Sequence, residues 1–237
     1  WMKPLWRPYA AIMPGERDKR RETPLTERLN DMYSRLLDHY GDPRWWPAGS
    51  VYEVMTGAVL TQNTAWTNVE KAIAHFGDGL SPHVVASIDE ESLRDIIRPA
   101  GSFTRKARCL KALTDWYALY GYDGEKVRRQ PMAMLRGELL ALKGIGPETA
   151  DSILLYAFGF PSFVVDAYTM RLCGRYPLDA GRDYHGVKSF FERHLERDAL
   201  VYNRFHALIV INAKEHCRKK PLCAGCPLYD TCERRGL

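Results

Sequence analysis

No apolar run in the 237-residue chain approaches the ~20 residues that span a bilayer, and its first residues lack the unbroken apolar segment of a signal peptide. Both absences point to a soluble, cytoplasmic protein. Strand signals are nearly absent too, so the expected fold class is all-α. There is no repeat of solenoid period and no low-complexity tract, which excludes an array or a tail-like polymer. Neither sign of charge dominates. The formal charge is +5, with basic clusters at Arg17 to Arg21, Arg105 to Arg108 and Arg218 to Lys220. That excess permits a polyanionic partner without establishing one. The length suffices for one large core or two smaller ones.

Cysteine is scarce until the end: six in all, four of them in the last 21 residues. Cys217, Cys223, Cys226 and Cys232 are separated by five, two and five residues. Crowding of this kind without a secretion signal suggests a metal site before a disulfide scaffold. The spacing, one Cys-x-x-Cys pair flanked by single cysteines, favours an iron–sulfur centre and leaves zinc as the alternative. Arg218, Lys219 and Lys220 lie inside the loop and would serve as phosphate contacts once the loop is pinned. Cys109 and Cys173 fall within helical patterns and read as small core residues.

Residues 1–23 show no period and read as an extension. A helix is expected from Pro24 to near Gly41, followed by a loop with Trp45, Trp46 and Pro47. Paired tryptophans there are either a clasp on the core or a stacking surface for a base. Helices are expected at about 51–61 and 64–76, joined through Gln62, Asn63 and Thr64, whose polarity marks a contact loop or plain capping. Further helices are expected at 82–87, 89–98, 104–120, 184–196 and 199–216.

The chain is organised around the stretch from Leu139 to Arg171. Lys143-Gly144-Ile145-Gly146-Pro147 forms a hairpin between helices: the glycines turn the backbone, Ile145 plugs the turn into the core, and Pro147 opens the next helix. Backbone N–H groups at the positive end of a helix dipole bind phosphate, and Gly144, Ile145 and Gly146 are the candidates. Ile153, Leu154, Ala157 and Phe158 continue an apolar helical side. Asp166 follows the apolar run Phe163-Val164-Val165 and caps a helix from Ala167 to Gly174.

Taken together, these residues resemble the endonuclease III superfamily of helix-hairpin-helix DNA glycosylases, over about residues 25–232. Leu142 to Ala150 is similar to the family hairpin, Val164 to Arg171 to the segment with the essential aspartate, and Leu60 to Thr64 to the segment whose glutamine fills the gap left by a flipped nucleotide. The resemblance implies a two-lobed all-α fold: a six-helix domain at 51–165, and a second domain of 24–50 plus 166–237 carrying a [4Fe-4S] loop. It implies Asp166 as the catalytic carboxylate, and double-stranded DNA contacts at Gln62, Asn63, Ser102, Phe103, Lys143 and the cysteine loop. Ser102 stands where a bulky wedge is common, which leaves that role to Phe103. Members that also cut the backbone carry lysine where this chain has Glu148, and a carboxylate forms no Schiff base. A monofunctional glycosylase, nucleoid-associated and monomeric, is therefore expected.

Trp45, Trp46, Pro47 and Trp66 are most similar to the aromatic base pocket of the MagIII-type 3-methyladenine DNA glycosylases, with Glu148 at its rim. Aromatic faces attract a cationic alkylated purine by roughly 0.5–2 kcal/mol. The competing expectations are a glycosylase for oxidised or deaminated pyrimidines or mismatched bases, and a non-catalytic DNA-damage-binding protein.

Overall fold

A computed structural model describes residues 24–46 and 48–236; the extension, its Arg17 to Arg21 cluster and Pro47 lie outside them. Twelve α-helices and no strands occur among the described residues. The all-α expectation is met. In chain order the helices are α1 Pro24–Tyr40, α2 Val51–Leu60, α3 Trp66–Ala74, α4 Pro82–Ser87, α5 Glu90–Ile96 and α6 Phe103–Ala118. They continue with α7 Gly124–Arg128, α8 Met132–Ala141, α9 Pro147–Ser152, α10 Ala167–Arg175, α11 Tyr184–His194 and α12 Ala199–Glu215.

Local chemistry sets many of the boundaries. Ser50, Ser81, Asp89, Asp183 and Asp198 each accept a first-turn N–H of the helix that follows, a cap worth about 1 kcal/mol in each case. Along α1, Leu29, Met32 and Leu36 are wholly buried at helical spacing. Helix α7 had no counterpart among the expected elements; it is a single turn capped by Asp123. The helix after the hairpin also departs from its expected course. It runs as α only to Ser152, and Ile153–Ala157 form a π turn, a widening often found at functional sites.

Helices α4 and α5 pack on α6, while α2 packs on α6, α9 and the π turn, and α8 packs on α9. A second group forms where α1 meets α12 and α11, and α10 meets the same two helices. Helix α12 also touches the π turn, so the groups share one continuous core.

One buried carboxylate ties the groups together. Asp151 on α9 has no exposed side-chain surface. It accepts two bonds from Arg136 on α8, at 2.8 and 3.0 Å, one from Ser162 at 2.6 Å and one from Tyr184 on α11 at 2.7 Å. Lys188 Nζ stands 3.4 Å away and donates to Ser162 Oγ, to the Phe163 carbonyl and to Glu192. Glu192 in turn accepts the Phe163 N–H. The segment leading into Asp166 is thus gripped from α9 and α11.

Candidate active site

Asp166 is the N-cap of α10. Its Oδ1 accepts the Thr169 N–H at 2.7 Å and the Thr169 hydroxyl at 3.0 Å, so the capping expectation holds. Capping uses only one of its oxygens. Oδ2 faces His206 Nε2 on α12 at 3.5 Å, and 14 % of the side chain remains exposed. Burial pushes its carboxyl pKa up, but His206 and the Thr169 bonds outweigh burial and hold it below the ordinary value.

Glu148 lies in the first turn of α9 with part of its surface exposed. Burial first, and then the charge of Asp166, raise its pKa. Two neighbouring carboxylates are therefore pushed in opposite directions, a common arrangement in active sites.

The loop before α2 brings the tryptophans to this place. Trp46 packs edge-on to Trp66 at 5.2 Å and against Tyr156 at 5.0 Å, with Trp45 6.4 Å from Trp46. Gly57 leaves the room for Trp46: a Cβ there would lie 3.1 Å from its indole. The Tyr156 hydroxyl lies 2.5 Å from His206 Nδ1, so the aromatic group meets Asp166 through His206.

The hairpin is built as its sequence suggests, with one correction. Ile145 is buried, Gly144 takes φ +100°, and a Cβ at Gly144 would press on Cys109 at 3.3 Å. The Ile145 N–H, however, is already donated to the Leu142 carbonyl at 3.0 Å, so Ile145 cannot give it to a phosphate. Turn closure consumes it. The N–H groups of Gly144 and Gly146 make no hydrogen bond among the described residues. Gln62 donates to Gly144 O at 3.0 Å and to Thr149 Oγ1 at 2.9 Å, joining its loop to the hairpin.

A family model for HhH-GPD superfamily base excision DNA repair proteins matches residues 56–197. The chain belongs to that superfamily. MJ1434 of Methanocaldococcus jannaschii, provisionally named a DNA repair glycosylase, is 44 % identical over 211 residues, covering 87 % of this chain and 96 % of that protein. Helicobacter pylori 3-methyladenine DNA glycosylase (MagIII), solved with 1,N6-ethenoadenine, superposes with a TM-score of 0.68 at 28 % identity, over 80 % of this chain and 97 % of that one. A non-covalent endonuclease III–DNA complex gives 0.73 at 21 % identity, over 88 % and 95 %, a likeness of fold.

In this HhH-GPD chain the remaining expected residues divide between two surfaces. Asn63 and Ser102 are exposed and take left-handed backbone, φ 52° and 45°, strain that tends to be kept where a loop has a task. Phe103 is half-buried under the Arg98 guanidinium, 4.8 Å from its ring centre. Lys143 is exposed. Lys106, read as part of a surface basic cluster, is buried; its ammonium donates to Leu60 O at 2.8 Å and Ala100 O at 2.7 Å, bracing the loops that carry Gln62 and Ser102. Burial, followed by the charge of Arg105, lowers its pKa to about 8.

At the other surface, Cys217, Cys223, Cys226 and Cys232 line one small cavity, and none is in a disulfide. Arg175 donates to Cys217 Sγ at 3.3 Å and to the carbonyls of Arg218 and Lys219, while Arg171 donates to Cys217 O at 2.6 Å. The backbone of the loop is thereby held, with the side chains of Arg218, Lys219 and Lys220 exposed. Four thiols around one cavity, with a cation beside one sulfur, suit an anionic thiolate-held group. Among the described residues no three His, Cys, Asp or Glu side chains close on a point as a single metal ion requires. Tyr156 and His206, which join the aromatic group to Asp166, had no place among the site residues read from the sequence; both lie inside apolar helical runs whose periodicity accounts for them as core.

Proposed function

We propose that this HhH-GPD glycosylase excises N-alkylated purines such as 3-methyladenine from double-stranded DNA by hydrolysis and stops at the abasic site. The observation that carries the reading is the packing of Trp46 between Trp66 and Tyr156, one hydrogen bond and 3.5 Å from Asp166. The 28 % identical glycosylase solved with an alkylated adenine supports the same substrate class.

The mechanism follows from the donors present. Gly144 and Gly146 offer N–H groups to one phosphate, and Arg218, Lys219 and Lys220 offer charge to another. The damaged nucleotide leaves the stack at a cost of a few kcal/mol, and Gln62 exchanges its bonds to the hairpin for the vacated space. Tryptophan faces enclose the base; its positive charge favours them and makes it a good leaving group, so no general acid is needed. Asp166, ionised and with Oδ2 free of the Thr169 cap, stabilises the oxocarbenium developing at C1′ and takes a proton from the attacking water. Glu148 offers no amine for an imine, which supports hydrolysis without strand cleavage. Cys217, Cys223, Cys226 and Cys232 would hold a [4Fe-4S] cluster, which would supply a structural crosslink to the basic loop and no chemistry to the base.

Base release from duplexes carrying 3-methyladenine, uracil or thymine glycol, read with and without hot alkali, tests the proposal. Release of the methylated purine with breaks only after alkali is expected. Excision confined to pyrimidines, or breaks without alkali, would overturn it.

A further inference from the structure

The π turn gives Tyr156 a task that core packing does not require. It turns the Tyr156 hydroxyl onto His206 Nδ1 at 2.5 Å, where both groups are buried. If the phenol donates to Nδ1, every atom of the contact is satisfied; the reverse direction leaves the phenolic hydrogen with no acceptor. The imidazole proton then sits on Nε2. That nitrogen is buried, has no hydrogen-bond partner among the described residues, and stands 3.5 Å from Asp166 Oδ2. An N–H is thus aimed at the one carboxylate oxygen that Thr169 leaves free.

We propose that His206 is a positioning residue for base excision: with its tautomer set by Tyr156, it presents Nε2–H to Asp166 Oδ2 and fixes the carboxylate plane against C1′ and the attacking water. The proposal rests on the reading of Asp166 as the reacting carboxylate. It inverts the usual hydrolase arrangement, in which a carboxylate orients a histidine. The 3.5 Å gap shortens when DNA closes the site, as such contacts commonly do. The same chain links chemistry to recognition, because Trp46 lies against the Tyr156 ring and a base entering beside Trp46 bears on the tyrosine that holds His206. Among the described residues four titratable groups interact with Asp166: His206, Tyr156, Glu148 and Cys173. Burial, then Asp166, keeps the phenol protonated, and burial, then Asp166, keeps the Cys173 thiol so, which leaves Asp166 itself and Glu148 to shape the acid side of a pH profile.

The test is single-turnover excision of 3-methyladenine from a duplex, followed against pH and protein concentration, for His206→Leu, His206→Gln, Tyr156→Phe and the reference Asp166→Asn. His206→Leu is expected to lower the rate at saturation by about 10- to 100-fold, with half-saturation unchanged and the acid limb moved to higher pH. His206→Gln, which returns an N–H near the place of Nε2, should recover most of both. Tyr156→Phe keeps the ring and should shift rate and limb in the same direction by less. A Gln variant as poor as Leu, or a Tyr156→Phe profile identical to wild type, overturns the proposal even if His206→Leu does not fold. Retained excision by Asp166→Asn would instead sink the underlying reading of the site.

Discussion

Asp151 and Asp166 stand fifteen residues apart on either side of the π turn, and in each burial works against ionisation while partners hold the pKa below the ordinary value. Their surroundings differ in completeness. Asp151 has both oxygens consumed by Arg136, Ser162 and Tyr184, with Lys188 beside them, and none of its surface is exposed. Asp166 has one oxygen capped and the other turned to a histidine, with 14 % of its side chain exposed. A buried carboxylate whose lone pairs are all spent is a staple, whereas one left with a free oxygen beside a second, pKa-raised carboxylate has the makings of a reagent.

The largest effect expected from breaking this contrast is on activity. Asp166→Asn keeps the cap at Oδ1, since an amide oxygen can accept the Thr169 N–H, but removes the charge. Excision should fall by roughly 10³-fold or more while affinity for damaged duplex and the melting temperature change little. Rate and binding measured on one preparation check this, and a parallel loss of stability would show that Asp166 is a second staple. Asp151→Ala should do the reverse. It takes the carboxylate from between Arg136 and Lys188 and leaves Glu192 as the remaining counter-charge to Lys188, at a cost of about 3–5 kcal/mol read from denaturant unfolding. Any variant protein still folded should excise at near the wild-type rate.

Acid should separate the carboxylates in order. Glu148 lies above its ordinary pKa, so falling pH protonates it first, and a cationic base then loses a favourable charge nearby. Asp166 and Asp151 are depressed and stay ionised to lower pH. For Asp151 the sign runs one way: its folded pKa is below its unfolded value, so its contribution is complete above the unfolded value and lost as pH drops through the folded one. The excision rate should therefore decline on acidification before stability does, and Glu148→Gln should abolish that early decline. Coincident loss of rate and fold would contradict the ordering.

Much of this contrast was legible beforehand, on one side only. Asp166 was marked by its place after Phe163-Val164-Val165 and before a helix, and its likeness to the family segment added the role. The hairpin could be read because glycine, apolar residue, glycine and proline leave few backbone choices. Asp151 gave no sign of its network. Its partners come from α8, α11 and the Ser162 loop, 11 to 37 residues away in the chain, and nothing in local spacing links Arg136, Tyr184 and Lys188. His206 and Lys106 gave no sign of their partners for one reason. A polar residue within an apolar helix reads as incidental until the carbonyl or carboxylate it meets is known, and each of these meets a group from a distant loop.

Arg136→Lys gives the smallest and sharpest change. It keeps a cation beside Asp151 but exchanges a planar, two-bond fork for a single ammonium, so one of the two Arg136 bonds is lost. If charge alone held Asp151, stability would barely move. If each hydrogen bond counts, the one that is lost costs about 1 kcal/mol even though Ser162 and Tyr184 still donate to one oxygen each, visible as a lower unfolding midpoint at unchanged slope. Excision well below the midpoint should be untouched, since Arg136 on α8 reaches Asp151 and not Asp166. A drop in rate without a drop in stability would mean that strain at Asp151 travels through Ser162 and Phe163 into the cap of α10, and that the two carboxylates work as one unit.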